Sequence, residues 1–347
     1  MGGAGETLPP SFPPPPPVSS TYVPDGTRVP ASADALSLGQ LVGSAVALGL
    51  GWIVALGVYF TASDLPDGYL GDIVVPFAMI LAALAAPVAL LFAWGEVDLS
   101  ALGMLPFAGY IYAEVSDTGV LVGLIAAGMA GLVIGAVVGV LRWSTQAPSA
   151  VVSLGAGFVL QAVAFRLLVE GSPLRVLEEG HVEGSGLAVL AALGFTSVTV
   201  AVAIVLRGRA GHEPVGGPRG PEVIVGFGLS GAAAATYGAL AAAMTGAVAA
   251  NDGSALLLML FCAVAIGGVV RGNRLIGPIT AALGAVAVQL LVSAGVIRGW
   301  EFGDRNLLIA AVLAACLLIS HGLNRLLSDR PGAAPAAGLT HPHMPST

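Results

Sequence analysis

Charged residues are scarce in this sequence. Asp, Glu, Lys and Arg make up 10% of the 347 residues, and the 13 basic residues are all arginine, so lysine is absent. Hydrophobic residues make up 56%, and the mean hydropathy is +0.91. The bulk of such a chain belongs in lipid. The net charge of −7 says little, because in a membrane protein the distribution of charge matters more than its sum.

Cysteine and nucleotide-binding motifs are also rare or missing. The two cysteines, Cys262 and Cys316, both fall inside apolar runs, so they are predicted to be small packing residues and not a disulfide or a metal site. No metal, cofactor or nucleic-acid partner is predicted. The sequence contains no GxxxxGK[ST] loop, which excludes ATP binding in the P-loop manner by this chain itself.

The chain divides into a membrane domain and two tails. Residues 1–37 include an unbroken proline run, Pro13–Pro17, and are predicted to be a disordered cytoplasmic tail. They lack the basic end and apolar stretch of a secretory signal. Residues 38–327 form the predicted transmembrane domain, and residues 328–347 a second disordered cytoplasmic tail. Glycine, at 49 residues, suits close helix–helix approach in a membrane.

Apolar runs predict an all-α, polytopic membrane protein with ten transmembrane helices, one of them broken. About 20 apolar residues cross a bilayer core of roughly 30 Å. The predicted spans are Gln40–Thr61, Ile73–Trp94, Val97–Ala113 (the broken helix), Thr118–Leu141, Pro148–Val169, Leu187–Leu206, Val223–Ala249, Ala255–Val270, Leu275–Ile297 and Asn306–Ser320.

The charges of the loops alternate along these spans. One set of loops is acidic and contains Asp64, Asp67, Asp72, Glu114, Asp117, Glu170, Glu178, Glu179, Glu183, Asp252, Glu301 and Asp304. Only three basic residues, Arg175, Arg298 and Arg305, interrupt this set. The opposite set is basic: Arg142, Arg207, Arg209, Arg219, Arg271, Arg274, Arg325 and Arg330. Short basic loops stay in the cytoplasm, so both termini are predicted to be cytoplasmic and the acidic loops to face outward.

The stretch Trp94–Ser100 is the most unusual part of the membrane domain. It places Glu96, Asp98 and Ser100 between two apolar runs, with no soluble loop to carry them. An acidic residue inside a membrane marks a polar cavity or a pathway by default. Gly95, followed by Gly103 and Pro106, predicts a broken helix, which is tolerated only where protein or water covers the freed backbone. A short interfacial turn between two ordinary spans is the alternative.

Six motifs, in the right order over residues 73–320, resemble the permease subunits of bacterial ABC importers of the ribose and sugar type. Gly95–Ser100 resembles that family's Gly-Gly-Ile-Asp-Leu-Ser segment. The other motifs are Pro148–Gly155, Gly171–Pro173, Leu229–Gly231, Ala265–Gly268 with Arg271–Asn273 and Gly277, and, in general character, Asn306–Leu317.

The resemblance implies a multi-pass transport subunit, and not an enzyme, in the plasma membrane of a bacterium. It implies three protein partners: a cytoplasmic ATP-binding subunit, a second permease subunit in a homodimer or heterodimer, and an extracytoplasmic substrate-binding protein. The substrate would be a small polar nutrient, most simply a sugar, moved by alternating access. The candidate pathway residues are Asp98, Ser100, Ser153 and Gln161.

The sequence departs from that family in two places. Glu96 stands where the family has the second glycine of its motif. The loop expected to dock on the ATPase, residues 209–221, contains three prolines and four glycines, which argue against a regular helix. Its candidate coupling residues are Arg209, His212, Glu213 and Arg219.

Two other functions remain open at this point. Gly228–Gly231 matches the GxSG pattern of rhomboid intramembrane proteases, with Ser230 as the nucleophile and His321 as a candidate base. A serine nucleophile needs that base within about 3 Å, yet two whole spans separate the two residues. The remaining alternative is a polytopic membrane protein that couples to no ATPase.

Overall fold

A computed structural model describes residues 38–61, 68–168, 174–176, 185–209, 220–249, 253–268 and 276–328. Both predicted tails, apart from Ser328, and the coupling-loop residues His212, Glu213 and Arg219 lie outside these ranges. The described helices are α1 Leu38–Phe60, α2 Val75–Trp94, α3 Ala101–Val115, α4 Val120–Thr145, α5 Ser149–Leu168, α6 Ser185–Arg209, α7 Gly220–Thr245, α8 Gly253–Ile266, α9 Ile276–Ile297 and α10 Phe302–Ser328.

Each predicted span overlaps one of these helices, and most boundaries agree to within four residues, but α10 runs eight residues past the predicted Ser320. For the described residues, the prediction of an all-α fold is confirmed. A π-helical turn, Leu70–Val74, precedes α2, and a 3-10 turn, Ser116–Thr118, follows α3. Within the described ranges, seven helices are long and apolar enough to cross a membrane. The apolar parts of α1 and α8 are shorter, and α3 has only 15 residues.

Helices α2 and α7 form the centre of the bundle. In their most apolar stretches 78% and 83% of the residues are buried, against 17–22% in α4, α5, α6 and α10. The outer helices instead expose large aliphatic and aromatic side chains such as Leu121, Val133, Phe158 and Leu190. This distribution is the one expected of a bundle whose outer surface faces lipid.

Small residues let the central helices touch at the backbone. A Cβ atom added to Gly135 of α4 would lie 2.2 Å from the Phe227 carbonyl oxygen of α7, and one on Gly131 would lie 2.4 Å from that of Gly231. In a membrane, where the hydrophobic effect does not drive helices together, such close van der Waals packing stabilises the contact.

Contacts between loops are consistent with the predicted alternation of the chain. Two short strands, β1 Leu174–Val176 and β2 Ala247–Ala249, pair antiparallel. They join a loop predicted to face outward to the outer end of the predicted span Val223–Ala249, whose last residues form β2 because α7 ends at Thr245. Arg298 donates a hydrogen bond to Thr61, also between loops of the predicted outer set. The cytoplasmic location of the termini stays a prediction.

The helix break is shorter than the sequence predicts. Helix α2 ends at Trp94, the connector Gly95–Ser100 is not helical, and α3 runs without interruption through Gly103 and Pro106. A proline inside a helix removes one backbone hydrogen bond, here to the Leu102 carbonyl. That carbonyl lies against Gly253 at the start of α8, where an added Cβ would be 2.0 Å away. Gly103 and Pro106, two of the three residues from which the broken helix was predicted, therefore do not interrupt α3.

Candidate functional site

The connector begins at a glycine that ends α2 sharply. Gly95 has a φ of 82°, the left-handed conformation that glycine adopts without steric cost. Its N–H donates to the Phe92 carbonyl, and the Glu96 N–H donates to the Leu91 carbonyl, both at 2.9 Å. These two bonds form the Schellman arrangement that satisfies the last carbonyls of a helix, and a non-helical segment follows.

Two serines of α5 bind this non-helical segment from one side. The Val97 N–H donates to Ser149 Oγ and the Leu99 N–H to Ser153 Oγ, both at 2.9 Å. Ser153 Oγ in turn donates to the Ser149 carbonyl at 2.8 Å and lies 3.1 Å from the Val97 carbonyl. Backbone polar groups inside a membrane must find protein partners, and serines four residues apart on one helix face supply them here.

Asp98 lies between Val97 and Leu99, and its side chain faces α7 and not α5. Val97 and Leu99 bond to α5 through their backbone N–H groups, whereas the Asp98 carboxyl lies beside Ser230 of α7. The Asp98 carboxyl is 1% exposed. Its Oδ1 accepts a hydrogen bond from the Ser100 N–H at 2.8 Å, and the Ser100 and Ser230 hydroxyls face it.

Neither hydroxyl beside Asp98 is satisfied by the protein. Ser100 and Ser230 are each 0% exposed, and within the described residues their Oγ atoms have no hydrogen-bond partner of normal geometry. Nor does any basic side chain among the described residues form an ion pair with Asp98. We refer to Asp98, Ser100 and Ser230 as the Asp98 cluster.

Glu96 does have a counter-charge. Arg142, at the end of α4, donates two hydrogen bonds to it: Nε to Oε2 and Nη2 to Oε1, each at 3.0 Å. The Glu96 side chain is 5% exposed and that of Arg142 is 24% exposed. A planar, two-point pair of this kind is geometrically specific, and it ties the connector to the end of the bundle that is predicted to face the cytoplasm.

A cavity of about 260 Å³ lies further along the contact between α3 and α7, towards the opposite end of the bundle. Its walls come from α2, α3, α7, β2, α8 and the first residue of α10. Aromatic side chains (Phe77, Tyr237, Phe302), Met259 and Thr245 contribute to it, and none of the described residues that line it is charged. Leu105 and Gly238 on its wall lie at a backbone contact, because a Cβ on Gly238 would be 2.3 Å from the Leu105 carbonyl oxygen.

The structure brings three of the four candidate pathway residues together. Asp98 and Ser100 belong to the Asp98 cluster, and Ser153 anchors the connector from α5. Gln161 lies two turns further along α5, where its backbone N–H packs against Gly103. None of the four lines the cavity. Of the candidate coupling residues, Arg209 is the last residue of α6, and the other three lie outside the described part of the chain.

Sequence reasoning missed the partners of the connector and the cavity. Ser149 lies in the Pro148–Gly155 motif, and its spacing of four from Ser153 was the available signal. Arg142 carries no local signal for its pairing with Glu96, since 46 residues separate the two. The apolar residues of the cavity are indistinguishable in sequence from the core around them.

The candidate protease dyad does not form. Ser230 is fully buried and its hydroxyl has no hydrogen-bond partner among the described residues, whereas His321, near the end of α10, is exposed. A nucleophilic serine needs a base at hydrogen-bond distance. This geometry does not support Ser230 as a nucleophile.

Comparison with protein-family models, with curated proteins and with solved structures found no match to this chain.

Proposed function

We propose that this chain is the transmembrane subunit of an ATP-driven importer that passes a sugar, or a related small polar nutrient, across a bacterial plasma membrane. The observation that carries the proposal is a cavity of about 260 Å³ between helices α2, α3, α7 and α8, whose described lining residues are all uncharged. It adjoins the same α3–α7 contact that leads to the buried Asp98 cluster, inside a bundle of apolar helices.

The lining of the cavity suits an uncharged ligand with both apolar and hydroxyl groups. Ligand pockets are mostly apolar, with a few polar groups that fix orientation. Here Phe77, Tyr237 and Phe302 offer ring surfaces, and Thr245 and Tyr237 carry hydroxyls. The volume lies just below the roughly 300–1,000 Å³ of pockets for drug-sized ligands, which favours a molecule of monosaccharide size.

Alternating access would use the connector as a moving part. In the conformation described, the cavity lies towards the end of the bundle predicted to face outward. The Asp98 cluster lies at the middle of α7, and the Glu96–Arg142 pair lies at the other end of the bundle. Binding of ATP by a separate cytoplasmic subunit would favour a second conformation in which this inner end opens. A second copy or a related permease, and an extracytoplasmic substrate-binding protein, complete the proposed assembly.

Uptake in the source cell tests this function. A strain deleted for this gene should lose uptake of one labelled sugar, and the intact gene should restore it. Purification of the tagged protein should recover an ATP-binding subunit that carries a P-loop. Uptake that continues after cellular ATP is depleted, or purification without any ATPase, would favour a polytopic protein that couples to no ATPase.

A further inference from the structure

The charge of Asp98 needs a partner that the described residues do not supply. A carboxylate at 1% exposure that lacks a counter-ion is costly in a low-dielectric interior. One backbone N–H, from Ser100, reaches it. A single hydrogen bond of this kind does not replace the hydration of an ionised group.

The surrounding charged and titratable groups have interactions of their own. Glu96 on the connector and Arg142 on α4 pair with each other. On α7, Glu222 and Tyr237 each have an interaction, and Arg166 of α5 is exposed near the far end of its helix. Among the described residues, the Ser100 N–H donates to the Asp98 carboxyl, and the hydroxyls of Ser100 and Ser230 lie beside it.

The chemistry of the cluster is that of a small, hard, singly charged ligand. It presents carboxylate and hydroxyl oxygens, and both hydroxyls keep their lone pairs available because they have no partner among the described residues. Hard oxygen donors suit a proton or an alkali cation, whereas Ca²⁺ takes about 6–8 oxygen ligands. With one carboxylate, the cluster balances one positive charge.

We propose that Asp98, Ser100 and Ser230 form a binding site for one monovalent cation, a proton or Na⁺, at the contact of the connector with α7. The site joins the turn between α2 and α3 to the middle of α7. Occupancy therefore stabilises the closed contact between these elements. The proposal goes beyond the proposed transport function and does not depend on it, because binding is measured on this chain alone.

Thermal unfolding of the full-length protein in lipid nanodiscs tests for Na⁺. The melting temperature is measured at increasing NaCl, with choline chloride keeping the ionic strength constant. A Na⁺ site raises the Tm by roughly 2–4 °C for each tenfold rise in Na⁺ above Kd. Asp98→Asn should abolish this rise. The matched control Asp117→Asn, at an exposed position, should leave it intact.

Infrared spectroscopy tests for the proton. If the cation is a proton, Na⁺ has no effect on the Tm, and at neutral pH the protein shows a C=O stretching band of a protonated carboxylic acid that Asp98→Asn removes. Ser230→Ala keeps the carboxyl group and covers the case in which Asp98→Asn does not fold. If the cation is Na⁺, Ser230→Ala should weaken the rise of the Tm with Na⁺. If it is a proton, Ser230→Ala should shift the frequency of the C=O band. Ser144→Ala, at an exposed position, should change neither signal.

Absence of both signals overturns the proposal. A wild-type Tm that is independent of Na⁺, together with a spectrum in which Asp98→Asn and Ser230→Ala change no protonated-acid band, would mean that Asp98 is ionised without a bound cation. The proposed function would survive that result, since sugar uptake and ATPase recovery are separate measurements.

Discussion

Arg142 and Glu96 form a two-point ion pair between the end of α4 and the connector that follows α2, with both N–O distances at 3.0 Å. The two partners differ in environment, because the Glu96 side chain is 5% exposed and the Arg142 side chain 24%. Removing Arg142 therefore leaves a buried, unpaired carboxylate, whereas removing Glu96 leaves an arginine that reaches solvent.

This difference predicts an asymmetry between two single variants. Arg142→Ala should lower the free energy of unfolding by about 2–5 kcal/mol, since it leaves Glu96 buried and unpaired. Glu96→Ala should cost clearly less, because the freed guanidinium can extend to the interface. Arg142→Lys should restore only part of the loss, because lysine cannot make the planar two-point contact. Denaturant titration of the purified protein measures each value.

Arg166→Ala serves as the control for loss of an arginine. Its side chain is exposed near the far end of α5, so its cost should be small. An equal loss of unfolding free energy in Arg142→Ala and Glu96→Ala would mean that the unpaired carboxylate and the unpaired guanidinium are equally solvated, contrary to their exposures in the structure.

Ser153 is predicted to be a structural anchor of the connector. Ser153→Ala leaves the Leu99 N–H without its acceptor and should lower the free energy of unfolding by about 1–3 kcal/mol. Ser144→Ala, which removes a hydroxyl from an exposed position, should change it by less than about 0.5 kcal/mol. Similar small values for both variants would show that water reaches the Leu99 N–H.

The contact between α3 and α5 predicts a strong effect of one methyl group. A Cβ on Gly103 would lie 1.9 Å from the Gly157 carbonyl oxygen, whereas one on Gly155 meets nothing within 4 Å. Gly103→Ala should therefore force the helices apart and lower the free energy of unfolding by about 1–3 kcal/mol. Gly155→Ala, the control on α5, should be neutral or slightly stabilising, because alanine favours the helix. If both variants melt alike, these helices are not in backbone contact.

The orientation that loop charge predicts can be measured on exposed residues at the two ends. After replacement of Cys262 and Cys316 by alanine, an impermeant thiol reagent applied to intact cells should label Glu301→Cys and spare Ser144→Cys. Both positions are exposed, so only the side of the membrane separates them. Labelling of Ser144→Cys alone would reverse the predicted topology.

The helices were predictable because their apolar runs are long and their boundaries carry glycine, proline or charge. The position of the break was also predictable, since Gly95 and two acids interrupt an apolar region. Its length was not. Pro106 lies inside the continuous helix α3, and the Leu102 carbonyl that its missing N–H leaves free packs against Gly253 of α8, 151 positions away. A distant packing partner of this kind has no local signal.

The candidate site was predictable only in part, for the same reason. An acid at membrane depth singles out Asp98 from composition alone, and the structure places Ser100 and Ser153 around the same connector. The bond from Arg142 to Glu96 and the shape of the cavity depend on how whole helices pack. Alanine, leucine and phenylalanine residues that line a cavity look the same in sequence as those that fill a core.

Substrate uptake by a cavity-filling variant tests the central claim most directly. Ala255 lies on the wall of the cavity, and Ala255→Phe should fill part of its volume. Ala162→Phe, at an exposed position of α5, adds the same ring where lipid can accommodate it. We expect both variants to reach the membrane in equal amounts, and uptake to fall by roughly tenfold or more in Ala255→Phe, which corresponds to about 1.4 kcal/mol, with no change in Ala162→Phe. Full uptake by a correctly folded Ala255→Phe would contradict the account.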